Sequence, residues 1–394
     1  MKINAFQDVD VKSKRVLLRV DFNVPMNGEV VADGTRLEAA LPTIEHLVKA
    51  GARVVLMSHF GRPDSSNPDP SLKMDVIAKA FEKLLGQSVK KLDGCVGADV
   101  EAVVGKMKDG DVVMLENTRF HEGEKKNDHE FSKGLAALGD LYVNDAFGAV
   151  HRAHASTVGV AAYLPAYAGF LIQKEVEVLT PLLKDAPKPL VLIMGGAKID
   201  TKIGILKNFM DRADTFLIGG GLANTFLYAA GFDVGESLCQ KDKMELAQQI
   251  MLDAEAHHEK FLIPIDVIVA SEISETAVSL DIPVEDVEMD MKILDIGKLT
   301  IERFLKAIEG AATIVWNGPV GLYEMTPFSR GTKSIAEAVS KSKATTILGG
   351  GDTIDAIKKF GHKASEFDHV STGGGAMLEF LEGKELPGIT VLKV

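Results

Sequence analysis

Lys188-Pro189-Leu190-Val191-Leu192-Ile193-Met194-Gly195-Gly196-Ala197-Lys198-Ile199-Asp200-Thr201-Lys202 lies near the midpoint of the 394-residue chain and decides the reading of its fold. Leu190 to Met194 is an unbroken apolar run too short for a helix, the mark of a strand buried on both faces of a parallel sheet. The two glycines that follow permit a tight turn. Lys198 and Lys202 then recur at helical spacing, which predicts both ammonium groups on one helix face. A strand, a glycine turn and a helix start bring backbone N–H groups and cations to a place where phosphate can bind. Taken alone, the stretch reads more simply as a tight turn with solvated lysines; recurrence separates the two.

The same punctuation returns at Phe216-Leu217-Ile218-Gly219-Gly220-Gly221, at Ile314-Val315-Trp316-Asn317-Gly318-Pro319, at Ile347-Leu348-Gly349-Gly350-Gly351-Asp352-Thr353, and at Val370-Ser371-Thr372-Gly373-Gly374-Gly375. Five glycine-rich strand ends in one half-chain, with two lysines and an aspartate, favour a nucleotide site over packing glycines. Asp352 beside three glycines suits a magnesium ion shared with nucleotide phosphates. By itself it is more simply the cap of a helix starting at Thr353.

Toward the N-terminus the same α/β alternation carries different chemistry. Strands are predicted at 15–20, 53–57, 112–115 and 141–143, with a helix over 75–85 that Gly86 ends. Each strand finishes in a polar cluster: Asp21-Phe22-Asn23, Ser58-His59-Phe60-Gly61-Arg62, Glu116-Asn117-Thr118-Arg119, and Asn144-Asp145 leading to His151-Arg152-Ala153-His154. In open α/β sheets ligands bind outside the carboxyl ends of the strands, so these clusters line one rim, and Arg36 joins them. Seven of the chain's ten arginines fall within the first 152 residues. Arg36, Arg62, Arg119 and Arg152 with His59 form a pocket for an anionic ligand, since arginine binds phosphate and carboxylate bidentately. His151 and His154 read as structural. Arg15 and Arg53 precede their strands and fall on the opposite edge, and Arg19, inside a strand, is given no role.

A net charge of −12 argues against non-specific nucleic-acid binding, which needs excess base. Two cysteines, Cys95 and Cys239, without a ligand spacing fit a reducing compartment and exclude a thiolate zinc site. The opening residues 1–8 lack the apolar core of a signal peptide and no run is long enough to span a membrane, so a cytoplasmic location is the expectation. A helix over 170–183, stopped by Asp185-Ala186-Pro187-Lys188-Pro189, marks the domain boundary. The fingerprint GxGxxG is incomplete after Gly219, against a nicotinamide-dependent dehydrogenase. A nucleotide-sensing scaffold would lack Lys202 or Asp352, and both are present.

In order and spacing, Arg19-Val20-Asp21-Phe22-Asn23-Val24-Pro25, Ser58-His59-Phe60-Gly61-Arg62-Pro63, Gly195-Gly196-Ala197-Lys198, Trp316-Asn317-Gly318-Pro319, Gly349-Gly350-Gly351-Asp352-Thr353 and Thr372-Gly373-Gly374-Gly375-Ala376 resemble the phosphoglycerate kinase family over the full length. The resemblance implies two Rossmann-like α/β domains with parallel sheets. Residues 1–169 would bind 3-phosphoglycerate, 170–186 form a hinge helix, 187–376 bind nucleotide, and the tail 377–394 return to the first domain. It implies reversible transfer of the acyl phosphate of 1,3-bisphosphoglycerate to ADP, giving ATP, with Mg²⁺, in a monomer. Asp21 and Asn23 would hold the glycerate; His59, Arg62, Arg119 and Arg152 the 3-phosphate; Arg36 the phosphoryl group in flight. Lys198 and Lys202 would meet the nucleotide phosphates, Asp352 the metal, Thr353 and Asn317 the phosphate tail, and Glu324 the ribose. Gly195, Gly219 and Pro319 would belong to the nucleotide site, and the N–H groups of Gly350, Gly351 and Gly373 would face the transferring group. Two departures stand out: Ile293 replaces a glycine usual beside the adenine, and Gly34 an aspartate usual before Thr35-Arg36.

Overall fold

The structure, a computed structural model, describes residues 1–256 and 260–394. The chain divides into two compact units, Met1–Thr180 with Glu385–Val394 and Pro181–Lys384. In the first, six strands lie in the order Val89–Lys91, Val112–Met114, Arg53–Met57, Arg15–Arg19, Leu141–Asn144, Ala166–Ala168. Every neighbouring pair is parallel. Successive side chains alternate between two cores: Val16, Leu18, Val54, Leu56, Val112 and Met114 enter one, and Leu17, Val55, Met57, Val113 and Tyr142 the other. Both faces are covered, which is why these strands read as continuous apolar runs. The helix predicted over 75–85 is found as Asp75–Leu85.

The second unit repeats the plan. Its main sheet runs Lys260–Leu262, Thr215–Ile218, Leu190–Met194, Thr313–Asn317, Thr345–Gly349, His369–Val370, again parallel throughout. Numbered in chain order this is 3-2-1-4-5-6, the doubly wound order. The order reverses between Leu190–Met194 and Thr313–Asn317, the place where such sheets bind ligands. A separate antiparallel sheet is made by Leu280–Pro283, Asp266–Ala270 and Lys292–Ile296.

The Phe170–Leu182 helix runs across the division between the units, with Pro181 inside it. Its first turn is held by the Leu171 N–H donating to Asp145 Oδ1 at 2.8 Å and the Phe170 N–H donating to Thr43 Oγ1 at 3.0 Å. The C-terminal segment returns to the first unit. Ile3 bridges Lys393, the Asn4 N–H donates to the Leu392 carbonyl at 2.8 Å, and the Gly388 N–H donates to the Val150 carbonyl at 2.8 Å. That return, expected from 377, begins at Glu385. Residues Gly375–Leu381 form a helix that stays in the second unit, its Leu381 carbonyl accepting from Asn208 Nδ2 at 2.7 Å.

Candidate active site

In the first unit, the ends of the strands bring a cluster of cations together. Arg36 follows Gly34 in the first turn of the Thr35–Lys49 helix. Its Nη1 donates to the Asn23 carbonyl at 2.8 Å and lies 3.2 Å from Asp21 Oδ2. Asn23 Oδ1 accepts from the Gly61 N–H at 2.8 Å, locking the first strand-end loop to the second. Asn117, fully buried, locks the second to the third: its Nδ2 donates to the Phe60 carbonyl at 2.7 Å and its Oδ1 accepts from the Phe60 N–H at 3.1 Å. Arg119 donates to the Gly61 carbonyl at 2.5 Å, while its Nε is buried without a hydrogen-bond partner. Arg62 and Arg152 are exposed, and Arg152 Nε donates to His151 Nε2 at 3.0 Å.

This concentration of cations shows in the titration of its members. Burial first, then Arg152 and Arg19, pull the Arg119 guanidinium down to about 10. Burial, then Arg19, Arg119 and Arg36, hold His59 well below the ordinary imidazole range, so it is neutral at pH 7. His154 is lowered to about 4 by burial, then by Arg119, Arg19 and Arg152. A convergent group of arginines that outnumbers the carboxylates beside it suits an anion with several oxygens. Reading the sequence missed Arg19 here. It is completely buried at the end of its strand, with Nη2 2.9 Å from His59 Nδ1. A cation in an otherwise apolar buried run was the available signal.

In the second unit a cleft of about 350 Å³ opens at the reversal of strand order, lined by Gly195, Gly196, Lys198, Lys202, Asn317, Gly318, Gly350, Gly351, Asp352 and Thr353, among others. Lys198 and Lys202 do not share a helix face. A 3₁₀ turn over Ile199–Thr201 intervenes, leaving Lys198 extended and exposed and Lys202 buried just before the Ile203–Phe209 helix. The Lys202 ammonium donates to Asn317 Oδ1, and Asn317 Nδ2 in turn donates to the Gly349 carbonyl at 2.7 Å. Burial lowers Lys202 to about 8, partly offset by the Asp352 carboxylate. Thr353 Oγ1 accepts from the Gly318 N–H at 2.7 Å, clamping the two loops.

Glycines serve here in two ways. Gly350 has φ +98° at the start of the Gly351–Lys359 helix, which no side chain caps, so the first turn's N–H groups meet the cleft with the positive end of the helix. Gly195 instead lets two backbones touch: a Cβ there would come 2.0 Å from the Pro319 carbonyl oxygen. Gly219 likewise packs against Val320 rather than lining the cleft, while Gly220 and Gly221 do reach a neighbouring wall. The Gly373 N–H donates to Ser371 Oγ at 3.1 Å, so it is already engaged. The cleft meets instead Gly374 and Gly375.

Sharing Gly196, Ala197 and Asp352 with this cleft is a mainly apolar slot of about 250 Å³. Leu238, Ile273, Ile293, Leu294, Pro319, Val320 and Tyr323 line it, with the exposed Glu324 on its wall. A mainly apolar slot beside a glycine-lined cationic cleft has the form of a nucleotide site, with apolar walls suited to a base and backbone N–H groups suited to phosphates. Ile293, in place of a glycine, is simply part of the slot wall, with its N–H donating to Ser237 Oγ at 2.8 Å. Of the described side chains, no group of three or more His, Cys, Asp or Glu could hold a metal ion.

Residues 6–384 match the family model described as phosphoglycerate kinase. The chain belongs to the phosphoglycerate kinase family. It is 50% identical over 388 residues to the phosphoglycerate kinase of Dictyoglomus turgidum, covering 98% of this chain and 97% of the relative. That of Pelotomaculum thermopropionicum is 49% identical over 386 residues, covering 98% of each. The solved phosphoglycerate kinase structure from Coxiella burnetii superimposes with a TM-score of 0.89 at 40% identity, over 99% of this chain and 98% of that one. The phosphoglycerate kinase of Pyrococcus horikoshii OT3 gives 0.87 at 32% identity, with the same coverage. Phosphoglycerate kinase is a glycolytic phosphotransferase that moves a phosphoryl group between a nucleotide and a carboxyl acceptor, and this is the activity of the chain. Its substrates are small molecules, and no described helix is long and apolar enough to cross a membrane.

Proposed function

We propose that the arginine rim of the first unit binds 3-phosphoglycerate or 1,3-bisphosphoglycerate, and that the glycine cleft of the second binds ADP or ATP. The observation that carries this division is the contrast of donors: guanidinium groups around a neutral His59 in one unit, backbone N–H groups around a buried ammonium in the other. Asp21 and Asn23 take the glycerate; His59, Arg62, Arg119 and Arg152 the 3-phosphate. Arg36, tied to Asp21, meets the phosphoryl group in transit. Lys202 neutralises charge on the transferring group, with Lys198, Gly350 and Gly351, while Asn317 and Thr353 shape the phosphate path. Glu324, on the slot wall, takes the ribose.

A single exposed carboxylate at the mouth of the phosphate cleft, Asp352, fits a magnesium ion that arrives on a nucleotide and keeps most of its own waters. Bound there, Mg²⁺ would neutralise phosphate charge. The nucleophile toward ATP is an ADP phosphate oxygen, already ionised, so no general base is required. Catalysis is then positioning and charge neutralisation for a direct in-line transfer. Because the acyl phosphate hydrolyses in water, the reading includes closure about a hinge containing the Phe170–Leu182 helix, in a monomeric cytoplasmic enzyme.

The test is ADP release from ATP, with the acyl phosphate drained by a coupled dehydrogenase. Strict dependence on both magnesium and 3-phosphoglycerate is expected. ADP formed equally without the acid would overturn the assignment of the arginine rim. Small-angle scattering with both substrates should show compaction, and an unchanged radius would remove closure.

A further inference from the structure

His59 can carry its one neutral-state proton on either ring nitrogen, and the surroundings choose. Nδ1 lies 2.9 Å from Arg19 Nη2. A guanidinium has no acceptor, so at this distance Arg19 donates and Nδ1 accepts. The carboxylate oxygen beside Nδ1, Asp21 Oδ1, is 3.9 Å away, too far to take a proton from it. The proton of the neutral ring is therefore left on Nε2.

Arg19 can do this because it is itself immobilised. Its Nε donates to Ser156 Oγ at 2.8 Å, and its Nη1 donates to the Val20 carbonyl. Ser156 Oγ donates onward to Glu124 Oε1 at 2.6 Å, and the Ser156 N–H donates to Glu124 Oε2 at 3.0 Å. Arg19, Ser156 and Glu124 are all fully buried, so the charge of the arginine is balanced through the serine by a carboxylate as inaccessible as itself.

We propose that Arg19, braced by Ser156 and Glu124, is a positioning residue that fixes His59 as the Nε2–H tautomer, so that the ring offers the anionic substrate a neutral hydrogen-bond donor. This rests on the assignment of His59 to 3-phosphoglycerate. The charged groups facing the ring are Arg19, Arg36, Arg119, His154 and Asp21. Four of these are cationic or become so on protonation, and a fifth cation at His59 would repel them all. A neutral donor serves the substrate without that repulsion, and its strength does not vary as pH crosses the imidazole range.

The experiment is ¹⁵N NMR of histidine-labelled full-length protein, with His59 assigned from a His59→Gln variant. The expected wild-type spectrum shows Nε2 protonated and Nδ1 not, unchanged from pH 8 to pH 5.5. In Arg19→Met and in Ser156→Ala the ring should mix tautomers and titrate within that range. The KM for 3-phosphoglycerate should then rise several-fold from pH 6 to pH 8, with kcat nearly constant, whereas the wild-type KM stays flat across the same window. Arg19→Lys, which keeps a donor, should restore part of the tautomer preference. A wild-type ring protonated on Nδ1, or titrating near pH 6.5, would overturn the proposal without recourse to any variant. If His59→Gln leaves the KM unchanged while the wild-type spectrum is as expected, the tautomer stands and the substrate assignment of His59 falls instead.

Discussion

On the proposed reading, the two units solve the same problem, holding phosphate, with opposite materials. The first gathers side chains: cations brought from four strand ends, with Asn23 and Asn117 tying the loops that carry them. The second strips side chains away, so that helix N-termini and one buried lysine do the holding. Side-chain donors can adapt to an anion of irregular shape and define it by geometry. A glycine cleft contacts only what every polyphosphate shares. The acid substrate would thus be recognised by its outline and the nucleotide by its phosphates.

Substitutions can break this contrast, beginning with the largest effect. Lys202→Ala should lower kcat by about 10²–10³-fold, the size seen for loss of one preorganised donor to a transition state, with ATP affinity nearly unchanged. Equal losses in turnover and in calorimetric affinity would make Lys202 an ordinary binding group. Arg119→Ala and Arg62→Ala should each weaken 3-phosphoglycerate by about 1.5–3 kcal/mol, as for charge-assisted hydrogen bonds, and spare ATP. The buried Arg119 belongs at the upper end. A loss of ATP affinity in either would blur the division.

Gly350→Ala should reduce stability by about 1–3 kcal/mol in denaturant unfolding, since φ +98° suits only glycine and Asn317 Nδ2 lies 3.0 Å from the new Cβ. No change would mean that the turn relaxes freely.

The pH effects are smaller and differ between the units. Lys202, at about 8, loses its proton above that pH in the free enzyme, so kcat/KM for ATP should bend downward there. Lys202→Arg should remove the bend. In the first unit, His154 binds its proton near pH 4 when folded but near ~6.5 when unfolded. Between those values the unfolded chain holds more protons, so the contribution of His154 is complete above ~6.5 and lost as pH falls toward 4. His59 acts in the same direction. Asp145, raised to about 7 by burial, acts oppositely, favouring the fold as pH falls below 7. The His154→Gln variant should therefore show a shallower loss of stability in acid than the parent; an identical slope would remove His154 from the cluster.

Much of this was legible in the sequence, for a physical reason. Strands covered on both faces cannot hide, so 190–194 and 53–57 stand where their apolar runs place them. The cationic strand ends were visible because arginine is scarce elsewhere in the chain. The lysine pair was misread because helical spacing assumes a helix, and a 3₁₀ turn separates Lys198 from Lys202. Nor can sequence tell a glycine that opens onto the cleft, such as Gly351, from one that admits a neighbouring backbone, such as Gly195. Beyond Ile293, the walls of the apolar slot escaped notice because Leu238, Ile273 and Tyr323 share no period and meet only in the fold.

The return of the C-terminal segment to Ile3, Asn4 and Val150 has a consequence for biosynthesis. The nucleotide unit is one uninterrupted stretch of chain, complete once residue 384 has left the ribosome. Its partner, although all but its last ten residues are made by the time translation reaches residue 180, lacks its closing segment until residues 385–394 emerge. Domains ordinarily mature in the order they are translated. Here the half that starts first finishes last.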